Sequence, residues 1–216
     1  MKQTNYDDWK NMVDVTTPAY AQLFAEEKTY LQKSIAKDSR VLEVGCGYGR
    51  SINDILTITQ DIAGIDHDAH AVLDARIALV AHPSIWLINA EATQLPFFDN
   101  SFDYVVCLNA FVNFGKSKYL ALGQMKRVLK DDGRIIISAF SEDALEERLK
   151  VYRRSGIGFS VLSGGTVIFE NIDKHLGDYT SEQFSKLDLE KIFTKADLKI
   201  EDTTKAGIAY LCTLKK

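Results

Sequence analysis

Three glycines at alternate positions lie between a short apolar segment and an amphipathic one. Residues 40–44 lead directly into Gly45, Gly47 and Gly49, and the next apolar run ends in Asp66. Glycine lets the backbone adopt positive φ and approach a ligand closely, and the helix start behind it offers free N–H groups. A carboxylate at the next strand end can accept two hydrogen bonds from a ribose diol. This spacing predicts a site for a nucleoside-containing cofactor.

The residue before the glycines indicates which class of cofactor fits. The pattern is G-x-G-x-G preceded by Glu43, whereas dinucleotide sites carry G-x-G-x-x-G and place a pyrophosphate on a helix N-terminus. A carboxylate repels a pyrophosphate but attracts a cationic amino group. The sequence therefore favours a ligand with a ribose at one end and an amino acid at the other.

The segment VLEVGCGYGR at 41–50 resembles the first motif, [DE]-x-G-x-G-x-G, of the class I S-adenosylmethionine (SAM)-dependent methyltransferases. Further landmarks of that family follow in order: EATQLPF at 91–97, NSFDYVV at 100–106 and VLKDDGRIII at 128–137. The resemblance spans residues 40–140. It implies SAM as the cofactor, S-adenosylhomocysteine as its product, and an enzyme that transfers a methyl group.

The resemblance also assigns residues to parts of the cofactor. It places Glu43 near the methionine end and Asp66 at the ribose hydroxyls, although Asp66 could instead cap the following helix. The Glu91 carboxylate would accept from the adenine amine, and the Ala92 N–H would donate to the adenine ring. The candidate cofactor-binding residues are Glu43, Gly45, Cys46, Gly47, Gly49, Arg50, Asp66, His67, Glu91, Ala92 and Asn109.

For three residues of this set, the sequence is consistent with two different roles. Arg50 reaches the methionine carboxylate or is a surface cation. His67 stacks on adenine, where the family usually has an apolar residue, or is exposed. Asn109 faces the cofactor, as in the family fold, or caps a loop.

Tyrosines and other aromatic residues outside these motifs are candidates for an acceptor site or for ordinary core. Tyr6 and Tyr20 could close over the cofactor, and His175 is a candidate base or a solvated loop histidine. No catalytic residue is assigned, because a sulfonium already activates the methyl group and positioning alone can lower a barrier by ~7–11 kcal/mol. The candidate substrate contacts are Tyr6, Tyr20, Phe111, Tyr152, His175 and Tyr179.

Composition limits the possible partners. The 216 residues fit one domain, and a net charge of −4 disfavours a nucleic-acid partner. We expect a small-molecule acceptor, because residues 109–112 lack the Asn/Asp-Pro-Pro-Tyr/Phe motif of base and glutamine methylation. We expect no signal peptide, membrane span or metal site, and the three cysteines suit a reducing compartment. We expect a cytoplasmic protein, either monomer or homodimer.

Short Val/Ile/Leu-rich strands alternate with helices, which predicts an α/β fold with a parallel sheet covered on both faces. The resemblance implies a doubly wound, mostly parallel seven-stranded sheet whose last strand is antiparallel. Residues 157–170 predict a hairpin, Ser141 a helix cap, and residues 180–183 a capping box that opens a helix to about 196. We expect a single domain, 1–216, with an N-terminal helical cap over about 1–36 and an acceptor-side insertion over about 141–182.

Three alternatives remain open from the sequence. A non-catalytic SAM-binding module would keep the cofactor residues without acceptor chemistry. An RNA methyltransferase would need a local basic patch that the overall charge does not reveal. An oxidoreductase that uses a nicotinamide cofactor is disfavoured by Glu43 and by the missing third glycine of its motif.

Overall fold

The computed structural model describes residues 17–170 and 180–216. Its helices are α1 (Pro18–Ser34), α2 (Arg50–Ile55), α3 (Ala69–Ala78), α4 (Lys118–Val128), α5 (Leu145–Ser155) and α6 (Lys186–Lys195). Its strands are β1 (Val41–Val44), β2 (Ile62–Asp66), β3 (Trp86–Asn89), β4 (Phe102–Leu108), β5 (Leu129–Phe140), β6 (Phe159–Val161), β7 (Val167–Phe169), β8 (Thr180–Ser181), β9 (Lys199–Ala206) and β10 (Ala209–Lys215). Strands thus alternate with helices over most of the chain, as predicted.

Seven strands form the main sheet in the order β3-β2-β1-β4-β5-β10-β9. Strands β1 to β5 pair in parallel, and β10 runs antiparallel to both β5 and β9. The predicted fold class is confirmed, including the antiparallel last strand. The strand order reverses between β1 and β4, and open α/β sheets bind ligands at such a switch point, outside the carboxyl ends of the strands.

Both faces of the main sheet are covered by apolar side chains. On β1, Leu42 and Val44 join one buried cluster while Val41 joins another, and on β5 Ile135 and Ile136 divide in the same way. Neighbouring residues of a strand point to opposite faces, so the two clusters lie on opposite sides of the sheet. This double burial explains why the parallel strands are almost uninterrupted apolar runs.

Side-chain caps mark the starts of two helices. Thr17 is the N-cap of α1 with Pro18 in the first turn, and its side chain accepts from the Tyr20 N–H at 3.4 Å. Asp68 is the N-cap of α3, where its carboxylate accepts from the N–H of His70 at 2.8 Å. Each cap pairs N–H groups that have no partner inside the helix.

The predicted hairpin is confirmed, and it belongs to a second, smaller sheet. Strands β6, β7 and β8 pair antiparallel in that order. A third apolar cluster, which includes Val151, Tyr152, Val167 and Phe169, packs this sheet against α5. The segment after β5 therefore forms its own small layer beside the main sheet.

The capping-box prediction at residues 180–183 was wrong. Thr180 and Ser181 form β8, and Ser181 pairs with Val167 of the hairpin. The capping box lies five residues later, where the side chains of Ser185 and Asp188 each accept from the other's backbone N–H at the start of α6. The sequence around Ser181 resembles a helix cap, but in the structure Ser181 pairs with another strand instead.

The prediction that Ser141 caps a helix was also wrong. Ser141 does not cap α5 with its side chain; its hydroxyl donates to the Asp143 carboxylate, and the helix begins after Ala144. Leu73 of α3 and Val80 just after this helix are exposed. The buried face of α3 consists of Ala71, Val72 and Ala75. Among the helices of residues 17–170 and 180–216, none has the length and apolar character needed to cross a membrane.

Candidate functional site

A cavity of about 440 Å³ opens at the carboxyl ends of β1, β2 and β4, where the strand order reverses. This volume is in the range of small-ligand sites, ~300–1,000 Å³. The predicted residues that line it are Tyr20, Gly45, Cys46, Gly47, Arg50, Asp66, His67, Glu91, Ala92, Asn109 and Tyr152. Sequence-distant candidates thus meet around one space.

The glycine turn forms the floor of this cavity. Gly45, Gly47 and Gly49 all have positive φ, at 78°, 51° and 87°. The N–H groups of Gly45 and Cys46 both donate to the Ile65 carbonyl, at 2.8 and 2.9 Å, which ties the turn to the end of β2. A Cβ on Gly45 would lie 2.3 Å from the Ala110 Cβ, whereas a Cβ on Gly47 would meet nothing within 4 Å. The turn is close-packed on one side and leaves space on the other.

Asp66 connects the glycine turn to the end of β2. Its Oδ2 accepts from the Gly47 N–H at 2.8 Å, and its Oδ1 accepts from the Asp68 N–H at 2.9 Å. The side chain is largely buried but lines the cavity. Each carboxylate oxygen has two lone pairs, and His67 Nδ1 also lies 3.3 Å from Oδ1, so Oδ2 keeps capacity for one further donor. Asp66 does not cap α3, since Asp68 does.

His67 and the β3 end form the adjoining wall. His67 Nδ1 lies 3.3 Å from Asp66 Oδ1, and this hydrogen bond raises the pKa of His67 despite partial burial. The Asn89 amide donates to the carbonyls of Asp66 and His67, at 3.0 and 2.7 Å. Glu91 follows β3 and is exposed at the cavity rim. His67 therefore lies at the wall, oriented by a carboxylate.

Glu43 lies beneath the glycine turn and does not line the cavity. It is fully buried and accepts a hydrogen bond from the Ser51 hydroxyl, while its Oε2 has no hydrogen-bond partner. The pKa of Glu43 is raised to about 8, mainly by burial and also by the nearby Glu27 and Asp66 carboxylates, although the Ser51 hydrogen bond and Arg50 oppose the shift. Glu43 is thus a buried carboxyl group that keeps its proton at neutral pH, and it is not a surface charge.

A fully buried carboxylate on α1 joins the two sides of the site. Glu27 accepts from Arg50 Nη2 at 2.8 Å and from Asn109 Nδ2 at 2.7 Å. The Arg50 guanidinium also lies over the Phe24 ring, 4.0 Å from its centroid. Arg50 is therefore no isolated surface cation. Asn109 has a left-handed backbone, φ 59°, which asparagine tolerates better than most residues.

Hydroxyl and aromatic side chains from α1, β5, α5 and β8 form the far end of the cavity. Tyr20 of α1 packs edge to face against Phe140 at the end of β5, with centroids 5.8 Å apart. Tyr152 of α5 donates to the Ser181 hydroxyl at 3.2 Å. Burial raises the pKa of the Tyr20 phenol well above its ordinary value, with a further increase from Tyr152. The Tyr20 phenol therefore remains a neutral hydrogen-bonding group in an otherwise apolar region.

Some predicted residues lie elsewhere. Phe111 is fully buried in the core, where its ring centroid lies 5.8 Å from that of Phe184, and it does not line the cavity. Gly49 packs towards α3, since its Cβ would lie 3.0 Å from Leu79 Cδ1. The predictions for Tyr6, His175 and Tyr179 lie outside the described residues.

Sequence reasoning missed several residues around the cavity, and Glu27 is the most informative of them. It lies four residues from both Leu23 and Leu31, in the middle of the buried face of α1. A carboxylate in an apolar stripe is the signal that could have identified it, because a buried charge requires partners. Phe24, Phe140 and Ser181 carried no such signal.

The donors and acceptors present fit SAM. Gly45 lies so close to Ala110 that no side chain would fit there, whereas the space beside Gly47 is open. Both glycines line the cavity. Asp66 provides acceptor capacity for a hydroxyl. Arg50 Nη1 and Asn109 Oδ1 are buried without hydrogen-bond partners in the described residues. These features match a ligand with a ribose diol and a zwitterionic end.

Comparison with known proteins agrees with this geometry. Residues 42–137 match the sequence family described as a methyltransferase domain. The chain is 32% identical over 147 residues to an uncharacterised protein of Methanocaldococcus jannaschii, covering 65% of this chain and 61% of that protein. The chain spans between half and three fifths of the length of the curated relatives it matches.

Solved structures share the fold over almost the whole chain. A protein of Pyrococcus horikoshii superposes with a TM-score of 0.72 at 23% identity, covering 94% of this chain and 93% of that one. The 1,6-didemethyltoxoflavin-N1-methyltransferase of Burkholderia thailandensis, solved with S-adenosylhomocysteine, gives 0.70 at 15% identity, covering 97% and 82%. Residues 42–137 therefore carry a methyltransferase-domain motif region, and the seven-stranded sheet has the class I SAM-dependent methyltransferase fold.

Proposed function

We propose that the protein transfers a methyl group from SAM to a small-molecule acceptor. The observation that carries this proposal is the single cavity that joins the Gly45–Asp66 corner to a largely apolar far end. SAM, when bound, supplies a methyl group already activated by its sulfonium. The chain's own task is then to bind, orient and desolvate two reactants, which are effects large enough to account for much of a rate enhancement.

The residues divide between two halves of the cavity. We assign the ribose to Asp66 and the adenine to the wall formed by His67, Glu91 and Ala92. We assign the acceptor to the far end, where apolar side chains surround the hydroxyls of Tyr20 and Tyr152. Apolar walls with a few polar groups are typical of small-molecule sites.

A small acceptor is also consistent with one structural relative. The Burkholderia thailandensis enzyme binds 1,6-didemethyltoxoflavin, a small molecule, on the same fold. The net charge of −4 gives no general attraction for phosphate backbones. We therefore rank RNA methylation below small-molecule methylation.

The experiment that tests the proposal is a methyl-acceptor screen with labelled SAM and a metabolite pool. Transfer of label to a small molecule, with release of S-adenosylhomocysteine, is the expected result. SAM or S-adenosylhomocysteine at a hundredfold excess over Kd should also stabilise the fold by ~2.7 kcal/mol, whereas NAD should not. Binding without turnover on any acceptor would favour a non-catalytic SAM-binding module, and salt-sensitive binding of RNA would favour an RNA substrate.

A further inference from the structure

Glu27 makes two hydrogen bonds that converge on the cofactor half of the cavity. The carboxylate belongs to α1 and is fully buried, between Leu23 and Leu31 on the same helix face. It accepts from Arg50 at the start of α2 and from Asn109 after β4. Burying a carboxylate is costly unless it is paired and hydrogen-bonded. A hydrophobic residue would fill this position at lower cost if packing were its only role.

The two partners of Glu27 each retain one buried polar atom without a hydrogen bond. These atoms are Arg50 Nη1 and Asn109 Oδ1. Arg50 Nη1 lies 4.0 Å from Asp54 Oδ2, which is beyond hydrogen-bond distance. Both residues line the cavity beside the glycine turn. Buried unpaired polar groups are rare and call for an explanation, of which a ligand is one.

The chemistry of Glu27 dictates how its partners are oriented. A carboxylate only accepts hydrogen bonds, so it must bind the Asn109 amide by its N–H and leave the carbonyl oxygen directed elsewhere. Glu27 likewise accepts a hydrogen bond from Arg50 Nη2 and makes none with Arg50 Nη1. The result is one unpaired donor on a cation and one unpaired acceptor, which complement a carboxylate and an ammonium group respectively.

We propose that Glu27 is a positioning residue for the amino-acid end of the cofactor, acting through Arg50 and Asn109. The inference rests on the proposed function, since it concerns the same cofactor site. It assigns α1 to cofactor recognition as well as to closure of the acceptor end by Tyr20. The carboxylate group of the ligand would meet Arg50, and its ammonium group would meet Asn109.

The test compares two ligands that differ only at this end. S-Adenosylhomocysteine carries the amino acid, whereas 5′-methylthioadenosine keeps the nucleoside and lacks it. Calorimetry on Glu27→Gln should show at least a tenfold loss of affinity for S-adenosylhomocysteine and less than a twofold change for methylthioadenosine. The glutamine amide can donate to Asn109, so the Asn109 amide can turn and withdraw its acceptor.

Two further variants keep the result interpretable. Asn109→Gly should show the same selective loss, because glycine accepts the left-handed backbone at φ 59° while removing the amide. Glu26→Gln, on the neighbouring residue of α1, should leave both affinities unchanged. Circular dichroism should confirm that every variant is folded.

The remaining outcomes would each overturn the inference. Equal losses for both ligands would mean that Glu27 supports the fold and not the amino-acid end. Unchanged affinity for both would mean that Arg50 and Asn109 are held without it. Wild-type protein that binds neither ligand would overturn the proposed function itself, and this inference with it.

Discussion

At the scale of single residues, two glycines of the same turn are constrained for different reasons. Gly45 and Gly47 both have positive φ, but only Gly45 also lies against another residue, since its Cβ would be 2.3 Å from Ala110. The positive φ costs an L-residue about 1–2 kcal/mol. Overpacking adds about 1–3 kcal/mol. The steric effect therefore separates two positions that the motif alone treats as equivalent.

We expect Gly45→Ala to destabilise the fold by about 2–5 kcal/mol, combining the backbone and packing costs. Gly47→Ala should cost about 1–2 kcal/mol, because it incurs only the backbone cost. Chemical denaturation of the two variants beside the wild type measures both values. Equal losses of unfolding free energy would show that the Ala110 contact is relieved by a small shift of the turn.

Glu43 makes the stability of the fold depend on pH, which the sequence alone does not reveal. Its pKa in the folded chain is about 8, whereas the ordinary value is 4.5. Between these values the folded chain retains a proton that the unfolded chain has released. Because stability falls with pH wherever the folded state binds more protons, Glu43 makes the apo-protein less stable as pH rises from about 5 to 8.

We expect Glu43→Gln to remove this pH dependence. The unfolding free energy of the wild type relative to Glu43→Gln should fall by up to about 4 kcal/mol between pH 5 and pH 8, at ~1.36 kcal/mol per pH unit. Urea denaturation at several pH values measures the slope. Glu146→Gln, on an exposed side chain of α5, is the control and should keep the wild-type slope. A parallel pH profile for Glu43→Gln and wild type would show that Glu43 is ionised when folded.

The residues that could be predicted from the sequence are those with local signals. Gly45, Gly47 and Asp66 belong to strand ends whose contacts are with adjacent chain segments, so spacing alone placed them at the cavity. Glu27 meets Arg50 and Asn109 only when α1 packs across the sheet, over separations of 23 and 82 residues. Phe111 shows the reverse case, where an aromatic residue near the motifs packs into the core.

At the scale of elements, strand pairing overrides local helix signals in the segment after β5. Ser181 lies in a segment that resembles a helix cap, yet it pairs with Val167 in the small sheet. The central strands β1 and β2 were predictable because they are buried on both faces and are almost continuous apolar runs. The small sheet has short strands of two or three residues, which carry little periodicity for prediction.

Arg148 is the residue that holds the small sheet to α5. Its guanidinium is fully buried and donates to the carbonyls of Gly165 and Ser181 and to the Gln183 side chain. The guanidinium also lies over the Phe140 ring, 5.1 Å from its centroid. One side chain thus links the hairpin turn, β8 and the end of β5.

We expect Arg148→Met to loosen the small sheet and leave the main sheet intact. Loss of the guanidinium leaves two carbonyls without donors, at about 1–3 kcal/mol each. Amide hydrogen exchange in β7 should accelerate at least tenfold, which corresponds to about 1.4 kcal/mol, while exchange in β1 and β4 stays unchanged. Arg153→Met, on an exposed face of the same helix, is the control. Equal acceleration in β1 would show that Arg148 supports the whole fold.

At the scale of the whole molecule, the cavity is shared between two structural layers. The main sheet and the turns after its strands supply Gly45, Asp66 and Asn109. The layer built from α5 and the small sheet supplies Tyr152 and Ser181. Helix α1 contributes to both halves, through Glu27 and Tyr20. Within the described residues, the hairpin itself does not line the cavity, so it acts by supporting Tyr152, whose ring centroid is 4.9 Å from that of Phe169.

This division predicts that the two halves of the site can be changed separately. We propose that the segment over about 141–182 selects the acceptor, since it contributes no strand to the main sheet. Replacing residues 160–178 with a short Gly/Ser linker removes most of the hairpin and the partner strand of β8. Tyr152 then loses its packing against Phe169, and Ser181 loses its pairing with Val167.

We expect this replacement to abolish methyl transfer to the native acceptor while SAM affinity changes by less than about threefold, or ~0.7 kcal/mol. The reason is that Gly45, Asp66 and the Glu27 network are held by the main sheet and by α1, which the linker does not touch. Turnover of the acceptor found by the labelled-SAM screen and calorimetry with SAM measure the two effects on a variant shown to be folded by circular dichroism. A folded variant whose SAM affinity falls well over threefold, but which still methylates the acceptor at saturating SAM, would place the segment in the cofactor half.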